Sequence, residues 1–139
     1  MTAIGVYAYR YRIFDLIERF RVGDDFFFRN RGESEITGLE VELSMTLAKG
    51  LEVQAGAQAL RGEIVEDGAP TDGVPPPGLF LVVRGDPANR WWWMVRGAVF
   101  VRDDRPGPTA REIPGYGVID AGVGYALAEW LEVSVLGRN

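Results

Sequence analysis

The 139-residue sequence contains no cysteine and no histidine. This excludes disulfides, thiol chemistry, acid–base catalysis by histidine and the side chain that most often binds metals. Basic residues are fewer than acidic ones, which gives a formal net charge of -5, so no general attraction to nucleic acid is expected. We therefore predict that the chain is not an enzyme and that it has no catalytic residues, metal ligands, cofactor or nucleic-acid partner.

Long apolar runs are also absent, and none is long enough for a membrane helix. Residues 1–15 lack the basic start and the continuous apolar core of a signal peptide. Turn-forming and strand-favouring residues are abundant instead, with 18 glycines, 8 prolines and 12% aromatic residues. This composition favours an all-β chain, and any membrane segment in it has to be a strand.

Apolar and polar side chains alternate most strictly in residues 35–47. Leu39, Val41 and Leu43 share one parity, whereas Glu40 and Glu42 share the other. Similar alternation predicts seven strands at about 4–17, 25–47, 51–65, 79–84, 90–102, 116–127 and 131–136. Tight turns at 48–50, 85–89 and 127–129 alternate with long loops at 66–78 and 103–115, and a short hairpin at 22–25 is the exception. This order predicts an antiparallel up-and-down meander, in which the long second strand extends beyond its neighbours.

Two features favour a lipid-facing sheet. The apolar parity persists over at least five strands, and several of these exceed the roughly 9–11 residues that cross a bilayer at a tilt. Trp91, Trp93 and Trp130 lie beside short turns, where an interfacial aromatic belt is expected. We expect the leucine and valine ladder to face lipid and the glutamates to face a hydrated lumen with arginines as counter-charges. The candidate lumen-facing residues are Arg10, Arg12, Glu40, Glu42, Arg96 and Arg102.

The same alternation fits a second class of protein. A self-contained small β-barrel or sandwich that binds an apolar ligand or a protein partner would place the glutamates on a solvated outer face. The residues alone leave this alternative open.

Three segments of the chain resemble, in order, the barrels of TonB-dependent outer-membrane receptors. The stretch "YRYRIFDLIERFRVGDDFFFRNRGESEITGLEVEL" is similar to their tyrosine-rich strand followed by Asn-x-Gly-x-x-x-Ile-x-Gly-x-Glu-x-Glu. The matching positions are Asn30, Gly32, Ile36, Gly38, Glu40 and Glu42. "GAPTDGVPPPG" is similar to their Gly-x-Pro…Ile-Pro-Pro loop, with Val74 in place of isoleucine, and "IPGYGVIDAGVGYAL" with "LEVSVLGRN" resembles a late-barrel segment.

The resemblance implies a bacterial outer-membrane barrel of about 22 strands with an N-terminal plug. It implies import of iron chelates, haem or similar nutrients, driven by TonB through the plug. The implied partners are outer-membrane lipid, the remainder of the barrel and its plug, TonB, and an iron chelate or haem ligand. Because no plug or closing strand is recognisable, residues 1–139 are expected to be a partial barrel of about seven strands. Its two open edges would not be tolerated in hydrocarbon, so this chain alone is not expected to form the transporter.

Overall fold

The computed structural model describes residues 1–86 and 90–139. Within these ranges the chain forms nine β-strands, and none of the described segments is helical. The strands are β1 (Thr2–Ile13), β2 (Ile17–Val22), β3 (Asp25–Asn30), β4 (Ser34–Ala48), β5 (Leu51–Ile64), β6 (Gly78–Gly85), β7 (Trp91–Phe100), β8 (Tyr116–Ala128) and β9 (Leu131–Gly137). The described residues accordingly include no helix that is long and apolar enough to span a membrane. The prediction of an all-β fold is confirmed.

Seven of these strands form one antiparallel sheet in the order β1-β4-β5-β6-β7-β8-β9, and β2 and β3 pair only with each other. Within the described ranges, β1 and β9 each pair along one side only, so the sheet is open. The expected up-and-down meander is therefore confirmed. The alternative of a self-contained small barrel or sandwich is wrong, because within residues 1–86 and 90–139 the sheet neither closes on itself nor covers its apolar side chains with a second layer.

The first four strands form one long, interrupted hairpin. Thr2 lies opposite Met45 and Val22 lies opposite Asp25, so the paired residue numbers sum to 47 in both parts. The breaks lie at 14–16 and 31–33, where Asp15 adopts a positive φ of 54°. The predicted continuous strands at 4–17 and 25–47 are wrong at these breaks. The expected extension of this hairpin beyond its neighbours is present as β2 and β3.

The connections lie at two different ends of the sheet. Turns at 49–50 and 129–130 define the short-turn end, together with the connection between β6 and β7. Residues 87–89 of the predicted turn at 85–89 lie outside the described residues. Segments 14–33, 65–77 and 101–115 define the opposite, long-loop end.

One face of the sheet is apolar across its strands. Directly opposite residues on β1, β4, β5, β6 and β7 form a row of Val6, Val41, Ala57, Leu79 and Val99. These side chains are not sealed in a core, since Val6 is 65% exposed and Leu79 is 54% exposed. We call this side the apolar face, and we call the opposite side, which carries Glu40 and Gln58, the polar face. The exposed apolar row is what a lipid-facing wall requires.

The small buried core lies at the long-loop end. Ser34 and Ile64 lie opposite each other at the ends of β4 and β5, and both are fully buried. The Ser34 and Thr71 hydroxyls form a hydrogen bond of 2.8 Å. Val74 packs over Gly62, where an added Cβ would lie 2.6 Å from the valine Cγ2. Segment 65–77 therefore folds back over the polar face at this end.

Candidate functional site

The centre of the polar face carries an acidic residue held by a tyrosine. The Tyr9 hydroxyl donates a hydrogen bond of 2.5 Å to Glu40 Oε1. Strand pairing places Tyr9 directly opposite Gly38, whose missing side chain leaves room for the ring. Further along the same face, Arg96 Nη1 lies 3.6 Å from Asp120 Oδ2. The polar face thus presents carboxylates of which at least one is stabilised by a neutral donor.

A groove of about 200 Å³ opens on the polar face. Its polar lining comes from Glu40, Glu42, Gln58 and Arg96, and its aromatic lining comes from Phe80 and Phe100. The two carboxylates can accept hydrogen bonds or hold a cationic group, and the guanidinium can bind an anionic one. No group of three potential metal ligands converges within residues 1–86 and 90–139. The groove is therefore suited to reversible contact with a solute.

Aromatic rings on the polar face cover glycines of the neighbouring strand. Phe80 lies opposite Gly56, and Phe100 lies opposite Gly78. A Cβ added to Gly56 would lie 2.4 Å from Phe80 Cε1, so the ring occupies the space that the glycine leaves. Such pairing covers backbone that glycine would expose. Sequence analysis missed it, because its signal is a glycine and an aromatic residue in register across two strands.

The structure divides the six predicted lumen-facing residues between different places. Glu40, Glu42 and Arg96 lie on the polar face and line one groove. Arg102 lies beyond the end of β7, in segment 101–115. The orientation of Glu40, Glu42, Arg96 and Arg102 towards a lumen stays a prediction.

Arg10 and Arg12 require a correction to the predicted grouping. They lie opposite Thr37 and Glu35, which share the parity of Leu39, so both arginines are on the apolar face. Arg10 Nη2 lies 2.5 Å from Glu35 Oε2. They are therefore not the counter-charges of the glutamates on the polar face, because the strand register puts the two sets on opposite sides of the sheet.

The hairpin and segment 65–77 are joined by a charged contact at the long-loop end. Arg31 Nη2 donates a hydrogen bond of 2.8 Å to Asp67 Oδ2, and Arg31 Nε lies 3.1 Å from Glu18 Oε2. The Glu18 side chain is only 3% exposed. The backbone N–H of Ala69 and the Arg31 guanidinium lower the pKa of Asp67. The Asp67 carboxylate therefore stays charged at neutral pH.

Segment 65–77 also contacts segment 101–115. The Thr109 hydroxyl donates a hydrogen bond of 2.6 Å to Asp72 Oδ2. A Cβ added to Gly107 would lie 2.5 Å from the backbone nitrogen of Asp72, so the two segments approach each other closely. Arg102 pairs with Glu112, and that carboxylate raises the pKa of the Arg102 guanidinium. We call the three connected segments at 14–33, 65–77 and 101–115 the loop cap.

Comparison with known proteins agrees with this architecture. The family described as TonB dependent receptor-like, beta-barrel matches residues 2–139. The solved structure titled "Copper transporter OprC" superposes with a TM-score of 0.84 at 16% identity, over 99% of this chain and 22% of its own. The siderophore receptor PiuA from Acinetobacter baumannii superposes with a TM-score of 0.66 at 14% identity, over 97% of this chain and 21% of its own. No curated protein matches the chain significantly.

The two solved structures show the fold, and this chain spans 22% and 21% of their respective lengths. The family match covers nearly all of the chain and carries the assignment. Members of the family are receptors of the bacterial outer membrane and not enzymes, which confirms the predicted location and class. This chain belongs to the TonB-dependent receptor-like β-barrel family.

Proposed function

We propose that the chain forms part of the barrel wall of an outer-membrane receptor that imports a nutrient with energy from TonB. The supporting observation is an antiparallel sheet with exposed apolar side chains across one face and charged side chains on the other. A wall of this kind separates lipid from an aqueous path.

We propose further that the chain is a portion of a larger barrel. The unpaired sides of β1 and β9 carry backbone groups that hydrocarbon cannot satisfy, so both edges require neighbouring strands. These strands would come from the remainder of a barrel of about 22 strands that encloses a plug. TonB would act through that plug.

The imported nutrient that we propose is an iron chelate or haem. The groove on the polar face combines carboxylates and a guanidinium with the aromatic rings of Phe80 and Phe100, which suits a ligand with both polar groups and flat apolar parts. One structural neighbour is titled a copper transporter and the other a siderophore receptor, so metal import and metal-chelate import both occur on this fold.

The test is uptake by the complete native protein, expressed in a bacterial host that lacks its own iron-chelate and haem receptors. We expect uptake of radiolabelled iron from at least one chelate or from haem. The same host without TonB should take up none, because the import step requires energy.

Two other results have distinct meanings. TonB-dependent uptake of copper without iron would retain the import role and reject the proposed nutrient class. Equal uptake with and without TonB, or no uptake of any of these solutes by protein that is folded in the outer membrane, would reject the import role itself.

A further inference from the structure

Glu42 lies between two glycines on the polar face. Strand pairing places Gly5 of β1 directly opposite Glu42 on one side and Gly56 of β5 directly opposite it on the other. Neither neighbour has a side chain of its own that could pack against the carboxylate. The space on both sides of Glu42 is therefore available to side chains from further along β1 and from β6.

An aromatic ring covers each of these two glycines. A Cβ added to Gly5 would lie 2.9 Å from Tyr7 Cε2, and one added to Gly56 would lie 2.4 Å from Phe80 Cε1. The two aromatic residues are 51% and 37% exposed, so neither ring is sealed by other side chains. Tyr7, Glu42 and Phe80 also line one depression of about 310 Å³. We call these three residues the ring–carboxylate site.

The negative charge of the groove is not balanced by arginine. The ion pairs of the described residues include neither Glu40 nor Glu42. Arg96 is the cationic residue of the groove lining, and its Nη1 lies 3.6 Å from Asp120 Oδ2. The charges of these four residues therefore sum to a net negative charge.

Arginines in the neighbouring parts of the polar face also have acidic partners. In the row next to Arg96, Arg84 lies directly opposite Glu52. Towards the long-loop end, Arg102 pairs with Glu112. The surrounding guanidinium groups thus leave the excess negative charge at the groove unchanged.

A carboxylate flanked by aromatic rings suits an ammonium group in particular. The carboxylate forms charge-assisted hydrogen bonds with the N–H donors, and the negative faces of the rings attract the same cation. An anionic group would be repelled by the net charge of the groove. Because no group of three potential metal ligands converges within residues 1–86 and 90–139, an organic cation fits this surface better than a bare metal ion.

We propose that the ring–carboxylate site binds an ammonium group of the imported solute, so that the receptor takes an iron chelate that carries a free amine. The inference rests on the proposed import function and narrows its nutrient class. Haem carries carboxylates and no ammonium group, so the site favours the amine-bearing chelate over haem. The amine stands apart from the iron ligands of such a chelate and is free to reach Glu42.

The experiment compares two chelates that differ only in this charge. The complete native protein is expressed in a host that lacks TonB and its own iron-chelate receptors, so that binding is measured without transport. The probes are a radiolabelled ferric trihydroxamate with one free primary amine and the same chelate after acetylation of that amine. We expect acetylation to weaken binding to the unmodified protein about ten-fold, since it removes the charge that the carboxylate and the rings attract.

A matched pair of variants locates the site. Glu42→Gln should weaken binding of the amine form alone and bring the two affinities within about two-fold of each other. The control Glu129→Gln removes a carboxylate from the exposed turn at 129–130 and should keep the ten-fold preference. The preference of the unmodified protein does not depend on the folding of either variant.

The possible failures separate this inference from the import role. Equal binding of the two chelates, equal losses of both in Glu42→Gln, or uptake of haem without binding of either chelate would overturn the inference and leave the import role intact. Absence of TonB-dependent uptake of any solute by folded protein would instead reject the import role, and the inference with it.

Discussion

The glycines of this sheet differ in whether a neighbouring side chain packs against them. On the polar face, an added Cβ at Gly38 would lie 2.3 Å from Tyr9 Cζ, and one at Gly56 would lie 2.4 Å from Phe80 Cε1. On the apolar face, an added Cβ at Gly97 would have no atom within 4 Å. The same residue type is therefore a packing requirement on the polar face and a replaceable residue at position 97.

This difference predicts opposite outcomes for one substitution at two positions. Gly56→Ala should lower the free energy of unfolding by about 1–3 kcal/mol, because Phe80 has to leave its place over the strand. The matched control Gly97→Ala should be neutral or should raise it by about 0.5–1 kcal/mol, because alanine suits a strand better than glycine. Urea unfolding of the native protein in lipid vesicles, followed by tryptophan fluorescence, measures both. Equal values would show that the ring moves without cost.

Odd and even positions along a strand predict the face of a residue correctly only when every residue of the strand is assigned by position and none by its charge. Trp91 and Trp93 are on one face of β7 and Trp92 is on the other, as the alternation of side chains along a strand requires. Arg10 and Arg12 were assigned by their charge, although they share the parity of apolar residues earlier in β1. The contact of Tyr9 with Glu40 was not predictable, because it depends on a register between residues that are 31 apart.

At the scale of elements, the loop cap is a chain of specific contacts. Arg31 links the hairpin to segment 65–77 through Asp67, and Asp72 links that segment to 101–115 through Thr109. The close approach of Gly107 to Asp72 is the tightest point of the second contact. The cap should therefore open first at Gly107 when that approach is blocked.

Gly107→Ala is expected to loosen segment 101–115. The added Cβ would meet the backbone of Asp72, which cannot move aside as a flexible side chain can. If the free energy of local opening falls by about 1.4 kcal/mol, the open form becomes about ten times more populated. Cleavage that occurs through the open form then becomes about ten times faster. Trypsin cleavage after Arg111 in the native protein measures this opening, with Gly97→Ala as the control. Unchanged cleavage at Arg111 in Gly107→Ala would mean that the two segments do not depend on this contact.

The breaks in the long hairpin show where prediction of elements fails. The alternation shifts phase around Asp15, because Ile13 and Phe14 are both apolar, but the residue numbers of paired positions sum to 47 on both sides of the break, so the strand register itself does not shift. The break depends on a positive φ at Asp15 and on a hydrogen bond of 3.0 Å from Asn30 Nδ2 to Asp15 Oδ1. Such local geometry is set by contacts across the hairpin and is not readable from one strand.

At the scale of the whole molecule, the sheet has one face suited to lipid and one face suited to water. Its apolar face is exposed across all its strands, and its polar face carries a groove with charged groups. Alternation, loop lengths and three motifs were sufficient to predict this architecture and the family. They do not identify the nutrient, because selection depends on how side chains from distant strands and loops converge.

The final prediction concerns which face of the sheet contacts lipid. Because this chain contains no cysteine, a single introduced cysteine can report the surroundings of each face. Ala57 and Gln58 are neighbours on β5 that point to opposite faces. In outer-membrane vesicles that contain the native protein, a water-soluble maleimide should label Gln58→Cys, and it should fail to label Ala57→Cys. A nitroxide attached at position 57 should collide more with oxygen than with a polar nickel chelate, and one at position 58 should show the reverse, because oxygen concentrates in hydrocarbon. If the water-soluble reagent labels both cysteines at equal rates, the apolar face is not in contact with lipid and the wall assignment fails.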